Sequence, residues 1–100
     1  MPQVTIVYWR DIPAQVIVGR GRAAEKRELS KRFIEAIDRC AMRVGARDSD
    51  SYLAQWRRGD AFVVAGEAKV EADRLMEEIE ATYDDARLAV LVVGNGYDKG

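Results

Sequence analysis

VTIVYWRDIPAQVIV, residues 4–18, sets two β-branched runs around a polar-aromatic insert and a proline, and its reading decides the fold. Val4, Ile6 and Tyr8 alternate with Thr5, Val7 and Trp9, so a strand here carries apolar groups on both faces. The pattern predicts an interior strand over residues 3–9. Gln15 to Gly19 is a second β-branched run, and Pro13, with no N–H for a ladder, belongs to the connection or to the strand's first residue. Together they predict a hairpin with a loop of about four residues, Arg10 to Pro13. The insert Trp9-Arg10-Asp11 holds an aromatic face, a fork of donors and a carboxylate. It is either a turn with internal partners, such as Trp9 stacked on Trp56 under Arg10, or a contact surface of the Trp and Arg type that dominates interfaces.

Downstream, Ser30 is placed to cap a helix over residues 31–44, with Leu29 and Ile34 as its hydrophobic staple. Phe33, Ile37, Cys40, Ala41 and Val44 form its apolar stripe, and Gly45 stops it. Asp48-Ser49-Asp50-Ser51 reads as the start of a short helix over about residues 50–58, ended by Arg57, Arg58 and Gly59. Ala61 to Ala65 is a short strand. Glu67 to Thr82 is a longer helix with Val70, Leu75, Met76, Ile79 and Tyr83 on one stripe. The continuous run LAVLVV, residues 88–93, ends at Gly94-Asn95-Gly96 and reads as a buried strand. The order is ββαα(β)αβ: one α+β domain over 1–94, a two-layer sandwich whose small sheet combines the hairpin with a C-terminal strand under about three helices. Residues 95–100 read as a flexible tail.

The chain of 100 residues is 48% apolar and 33% charged, too apolar to stay disordered and of a size for one core. Met1-Pro2-Gln3-Val4 lacks the pattern of a secretory leader, and no apolar run nears the ~18 residues that span a membrane. A single cysteine fits a reducing compartment, so the expected location is the cytoplasm. Net charge is −1, but residues 19–32 carry +4 and residues 67–85 carry −6. That dipole can be met within the chain, between two copies as a homodimer, or by a partner.

The chain has no histidine. That removes the commonest general base and the usual triads, and leaves one thiol unable to form an ordinary zinc site, so no enzyme, metal or cofactor is expected. Cys40 falls on an apolar helical stripe and reads as a core residue. Gly19-Arg20-Gly21-Arg22-Ala23-Ala24 matches the GxGxxA form of a dinucleotide turn, but no helix opens directly after it. Arg20 and Arg22 are candidates to hold phosphate; the net charge and the acidic third helix argue against nucleic acid. Asp48-x-Asp50 reads as capping instead of a cation loop, and Arg58-Gly59-Asp60 as a helix end instead of an adhesion tripeptide.

The string Ile6-Val7-Tyr8-Trp9-Arg10-Asp11-Ile12-Pro13-Ala14-Gln15-Val16, with Glu35 to Arg39 and Asp50 to Trp56, resembles a family of small bacterial proteins called the virulence factor family. It is similar to the terminal domain of conserved virulence factor C proteins, where such a module accompanies helical repeats and a domain like the iron-sulfur scaffold proteins. The likeness runs from about residue 4 to 92 and carries over no catalytic residue. The missing catalytic kit and the uneven charge point to a non-catalytic accessory or protein-interaction module, with a larger protein as partner and Trp9, Arg10, Asp11, Arg20 and Arg22 as contact candidates. The alternative is a small anionic-ligand or cofactor-binding protein beside a metabolic enzyme of one-carbon, corrinoid methyl-transfer or iron-sulfur chemistry. There Arg10, Arg20 or Arg22 would hold the anion, with Asp11 or Tyr8 as polar partner.

Overall fold

The computed structural model describes residues 2–46 and 49–98. The opening hairpin pairs β1 (Gln3–Trp9) with β2 (Ile12–Val18), antiparallel, and Trp9 faces Ile12. The loop is therefore two residues, Arg10 and Asp11, not four, and Pro13 lies inside β2. Two local features permit this. Arg10 adopts φ 55°, the left-handed conformation such short turns require. The register also slips by one residue between Val7 and Tyr8, leaving Ala14 as a bulge whose carbonyl accepts the Leu29 N–H at 3.0 Å. β3 (Glu25–Glu28) pairs β2 only from Gln15 to Val18, so Pro13 lies beyond that ladder. The arginine-rich stretch after Gly19, read as a connection, is thus a short 3₁₀ turn (Gly21–Ala23) and an edge strand.

Two short strands complete the sheet along the other edge of β1: β4 (Trp56–Arg58) beside Val7 to Trp9, and β5 (Phe62–Val63) beside Gln3 and Val4. The order is β3-β2-β1-β4, antiparallel throughout, with β5 also on β1. β4 replaces the second half of a helix expected over residues 50–58. Only α2 (Ser49–Leu53) is helical there, because pairing with β1 claims Trp56 to Arg58. Asp48, in the capping and cation-loop readings, lies outside the described residues.

The register fixes the two faces. Val4, Ile6, Val16 and Val18 share one face and pack with Ala72, Leu75 and Ile79 of α3 (Ala68–Thr82). On the other face, Trp9 and Ile12 join Phe33, Ala36, Ile37 and Cys40 of α1 (Lys31–Arg43). Leu88 and Leu91 of α4 (Asp85–Val93) close that second cluster.

α4 occupies the run read as a C-terminal strand. Its helicity has local causes at both ends. The Asp84 carboxylate accepts the Arg87 N–H at 2.8 Å as an N-cap. At the far end, Asn95 N–H reaches Val92 O and Gly96 N–H reaches Leu91 O, with Asn95 at φ 62°, a Schellman stop. α1 ends the same way, Ala46 N–H on Ala41 O and Gly45 N–H on Met42 O. Ser30 holds the N-cap position of α1 as expected, but its hydroxyl bonds Glu80 at 2.8 Å instead of the helix backbone.

Candidate functional site

The turn Trp9-Arg10-Asp11 gathers partners from three distant segments. Trp9 is fully buried, and its indole N–H donates to Tyr52 O at 3.0 Å. Tyr52 lies between the two tryptophans, 5.9 Å from the Trp9 ring and 6.0 Å edge-on to Trp56, so it fills the place expected for a direct Trp9–Trp56 stack. Arg10 donates Nε to Gln55 Oε1 at 3.1 Å and Nη1 to Asn95 O at 2.6 Å. Its guanidinium lies over Trp9 at 5.3 Å and Tyr97 at 4.9 Å. Asp11 accepts Arg57 Nη2 at 2.9 Å and the Asp98 N–H at 2.7 Å, while its own N–H meets Gly96 O.

Residues 95–98 are therefore tied to the hairpin by both flanks of its turn, and Arg57 Nε on Arg10 O fastens β4 to it. These side chains are committed to internal partners. Buried Trp9 offers no face to another molecule, and the insert serves as a clamp that joins the N-terminal hairpin to the segment after α4.

Cys40 lies against this clamp, fully buried and close to Gly96. Burial pushes its thiol up despite Arg10 and Arg43, as befits a core residue. Tyr8, Asp11, Arg57, Asp60, Tyr83 and Asp98 line a shallow polar hollow outside the clamp. Among the described residues no three His, Cys, Asp or Glu side chains are grouped to hold a metal ion, and no helix is long and apolar enough to cross a membrane.

Arg20 and Arg22 are not part of the clamp. They follow Val18, at the opposite end of the hairpin, where Arg20 donates to Gln3 Oε1 at 3.2 Å and Arg22 is exposed on the 3₁₀ turn. Gly19 to Ala24 leads into β3, not a helix, so the dinucleotide turn lacks its βα context. The remaining basic residues of this segment divide. Arg27 bonds Asp73 at 2.7 Å, and Arg32 bonds Glu80 at 2.9 Å, so part of the charge dipole is met within the chain.

A surface that sequence reasoning missed lies on α4. Leu88 and Leu91 face the core, whereas Val90 is 69% exposed, Val93 66% and Tyr97 44%. With Ala86, Leu91 and Gly94, Val90 and Tyr97 line an apolar groove of about 440 Å³. Its polar rim, Arg87 and Asp98, is paired to itself at 3.1 Å. The signal was present in LAVLVV: a helix apolar on all sides needs more cover than one neighbour supplies.

An antiparallel sheet backed by helices, with a hairpin clamp and a bare apolar helix face, defines a small α+β domain. The chain belongs to the virulence factor family, whose profile matches residues 7–92, from β1 through the bare face of α4. No curated protein and no solved structure matches it.

Proposed function

We propose that this virulence factor domain is a non-catalytic interaction module of the cytoplasm that docks on a larger protein through the outer face of α4. The observation that carries the reading is the apolar groove of Ala86, Val90, Gly94 and Tyr97, continuous with exposed Val93. Contiguous apolar surface of this kind marks interaction sites, since its burial is favourable by roughly 25 cal/mol per Å². The partner is an apolar face, such as one side of a helix. Arg87 and Asp98 neutralise each other at the rim, so the groove presents no unpaired charge for a charged ligand to meet. The chain's lack of histidine supports a binding role over a catalytic one.

The test is a photo-crosslinker at Val93 in the full protein within its own cell, with Val90→Asp as the control. One dominant stoichiometric adduct, lost in Val90→Asp while the folded content by circular dichroism is unchanged, is the expected result. Crosslinking of the chain to a second copy of itself would replace the larger partner by a homodimer. Adducts that are scattered or insensitive to Val90→Asp would overturn the docking face.

A further inference from the structure

Away from both the clamp and α4, the sheet face that carries Trp9 extends beyond Ile34 of α1, which lies at the row of Val7, Gln15 and Glu28. The strand register sets this face row by row: Glu28, Gln15, Val7 and Arg58 lie side by side, and Lys26, Ile17 and Thr5 form the next row. At the open end of the hairpin, Arg20, Lys26 and Arg58 come from three separate elements to one hollow of about 370 Å³. Gln3, Thr5, Ile17, Gly19, Gly21 and Ala24 also line it. Among the described residues no carboxylate lines it. Among the described residues the Lys26 and Arg58 side chains have no hydrogen-bond or ion-pair partner, and Arg20 meets only the neutral amide oxygen of Gln3. Elsewhere Arg27, Arg32, Arg57, Arg74 and Arg87 each pair with an acid.

Three unneutralised cations around one concavity repel one another, and an oxyanion with several charges relieves that repulsion while accepting their hydrogen bonds. The hollow is of the size that takes a small ligand. We propose that it binds a small phosphorylated molecule, its phosphate held by Arg20, Lys26 and Arg58 with the Thr5 hydroxyl and Gln3 amide at its base. A single carboxylate leaves two of the three charges unmet. An extended nucleic acid strand finds no continuing basic track, because Glu28 and Gln15 occupy the next row. The proposal does not rest on the α4 docking face.

Calorimetric titration of the whole protein with inorganic pyrophosphate, inorganic phosphate and acetate tests it. Pyrophosphate is expected to bind more tightly than phosphate, and acetate not at all. Lys26→Ala and Arg58→Ala, both exposed positions, should each weaken pyrophosphate about tenfold, the usual effect of one charged hydrogen bond. Arg22→Ala, outside the hollow, should leave it unchanged, and so should Val90→Asp. Thermal melts of each variant check that folding is retained. No binding of pyrophosphate at millimolar concentration, or equal weakening by Arg22→Ala, would overturn the site. Tighter binding of a single-stranded oligonucleotide through Lys26 and Arg58 would overturn it in favour of nucleic acid.

Discussion

Gly96 stands where the segment after α4 crosses the hairpin turn, at φ +87°, and a Cβ added there would meet Arg10 Cδ at 3.0 Å and Cys40 Sγ at 3.1 Å. Gly96→Ala should therefore cost about 1–3 kcal/mol, from left-handed strain and from displaced neighbours, read as a lower denaturant midpoint. Arg10→Ala removes two bonds and two ring contacts and is expected to cost a similar amount, about 1.5–3 kcal/mol, read in the same way. An unchanged denaturant midpoint in Arg10→Ala would show that the turn is not a clamp. Native Cys40 should resist alkylation until the protein unfolds, since burial both hides the thiol and disfavours its thiolate. The core role of Cys40 was legible from its place on the α1 stripe. The clamp was not, because Arg10 lies 45 residues from Gln55 and 85 from Asn95.

Among the elements, the seam between the start of α1 and α3 holds a carboxyl whose pKa is lowered. Burial alone would raise the Glu80 carboxyl, but the Ser30 N–H, its hydroxyl and the Arg32 guanidinium outweigh it and leave it lowered. Glu71 is lowered as well, first by Arg74 and then by the Gly66 N–H. A lowered folded pKa gives stability that is present above the unfolded glutamate value of about 4.3 and lost as pH falls through the folded value. Melting temperature should thus hold near neutrality and drop below about pH 5, and Glu80→Gln should lower the neutral plateau and flatten the drop. A Glu80→Gln profile parallel to the wild type would show that the seam does not titrate. α4 illustrates a competition of signals. A valine-rich six-residue run favours a strand, yet Asp84 before it and Gly94-Asn95-Gly96 after it are helix boundaries in the sequence, and the caps prevailed. For Trp56 to Arg58 the helix end signalled by Arg57, Arg58 and Gly59 did not prevail. β1 offered a free edge, and pairing with it overrode helical spacing.

At the scale of the molecule, two apolar clusters meet at Ile79, which packs against both. Shared packing predicts a single cooperative transition, with tryptophan fluorescence from Trp9 and Trp56 and far-ultraviolet circular dichroism dominated by the helices giving the same midpoint. Separated midpoints would mean that the hairpin end and the α3 layer unfold independently. The α+β class, the opening hairpin, α1, β5 and α3 were all determined by the sequence itself, since β-branched runs, helical stripes and glycine stops act between neighbours in the chain. Tertiary structure decided the rest: which arginines found acids, which edge took β4, and which apolar side of α4 stayed bare. Those outcomes depend on pairings between residues tens of positions apart, where surface left over after packing, and not local propensity, determines what remains to meet another molecule.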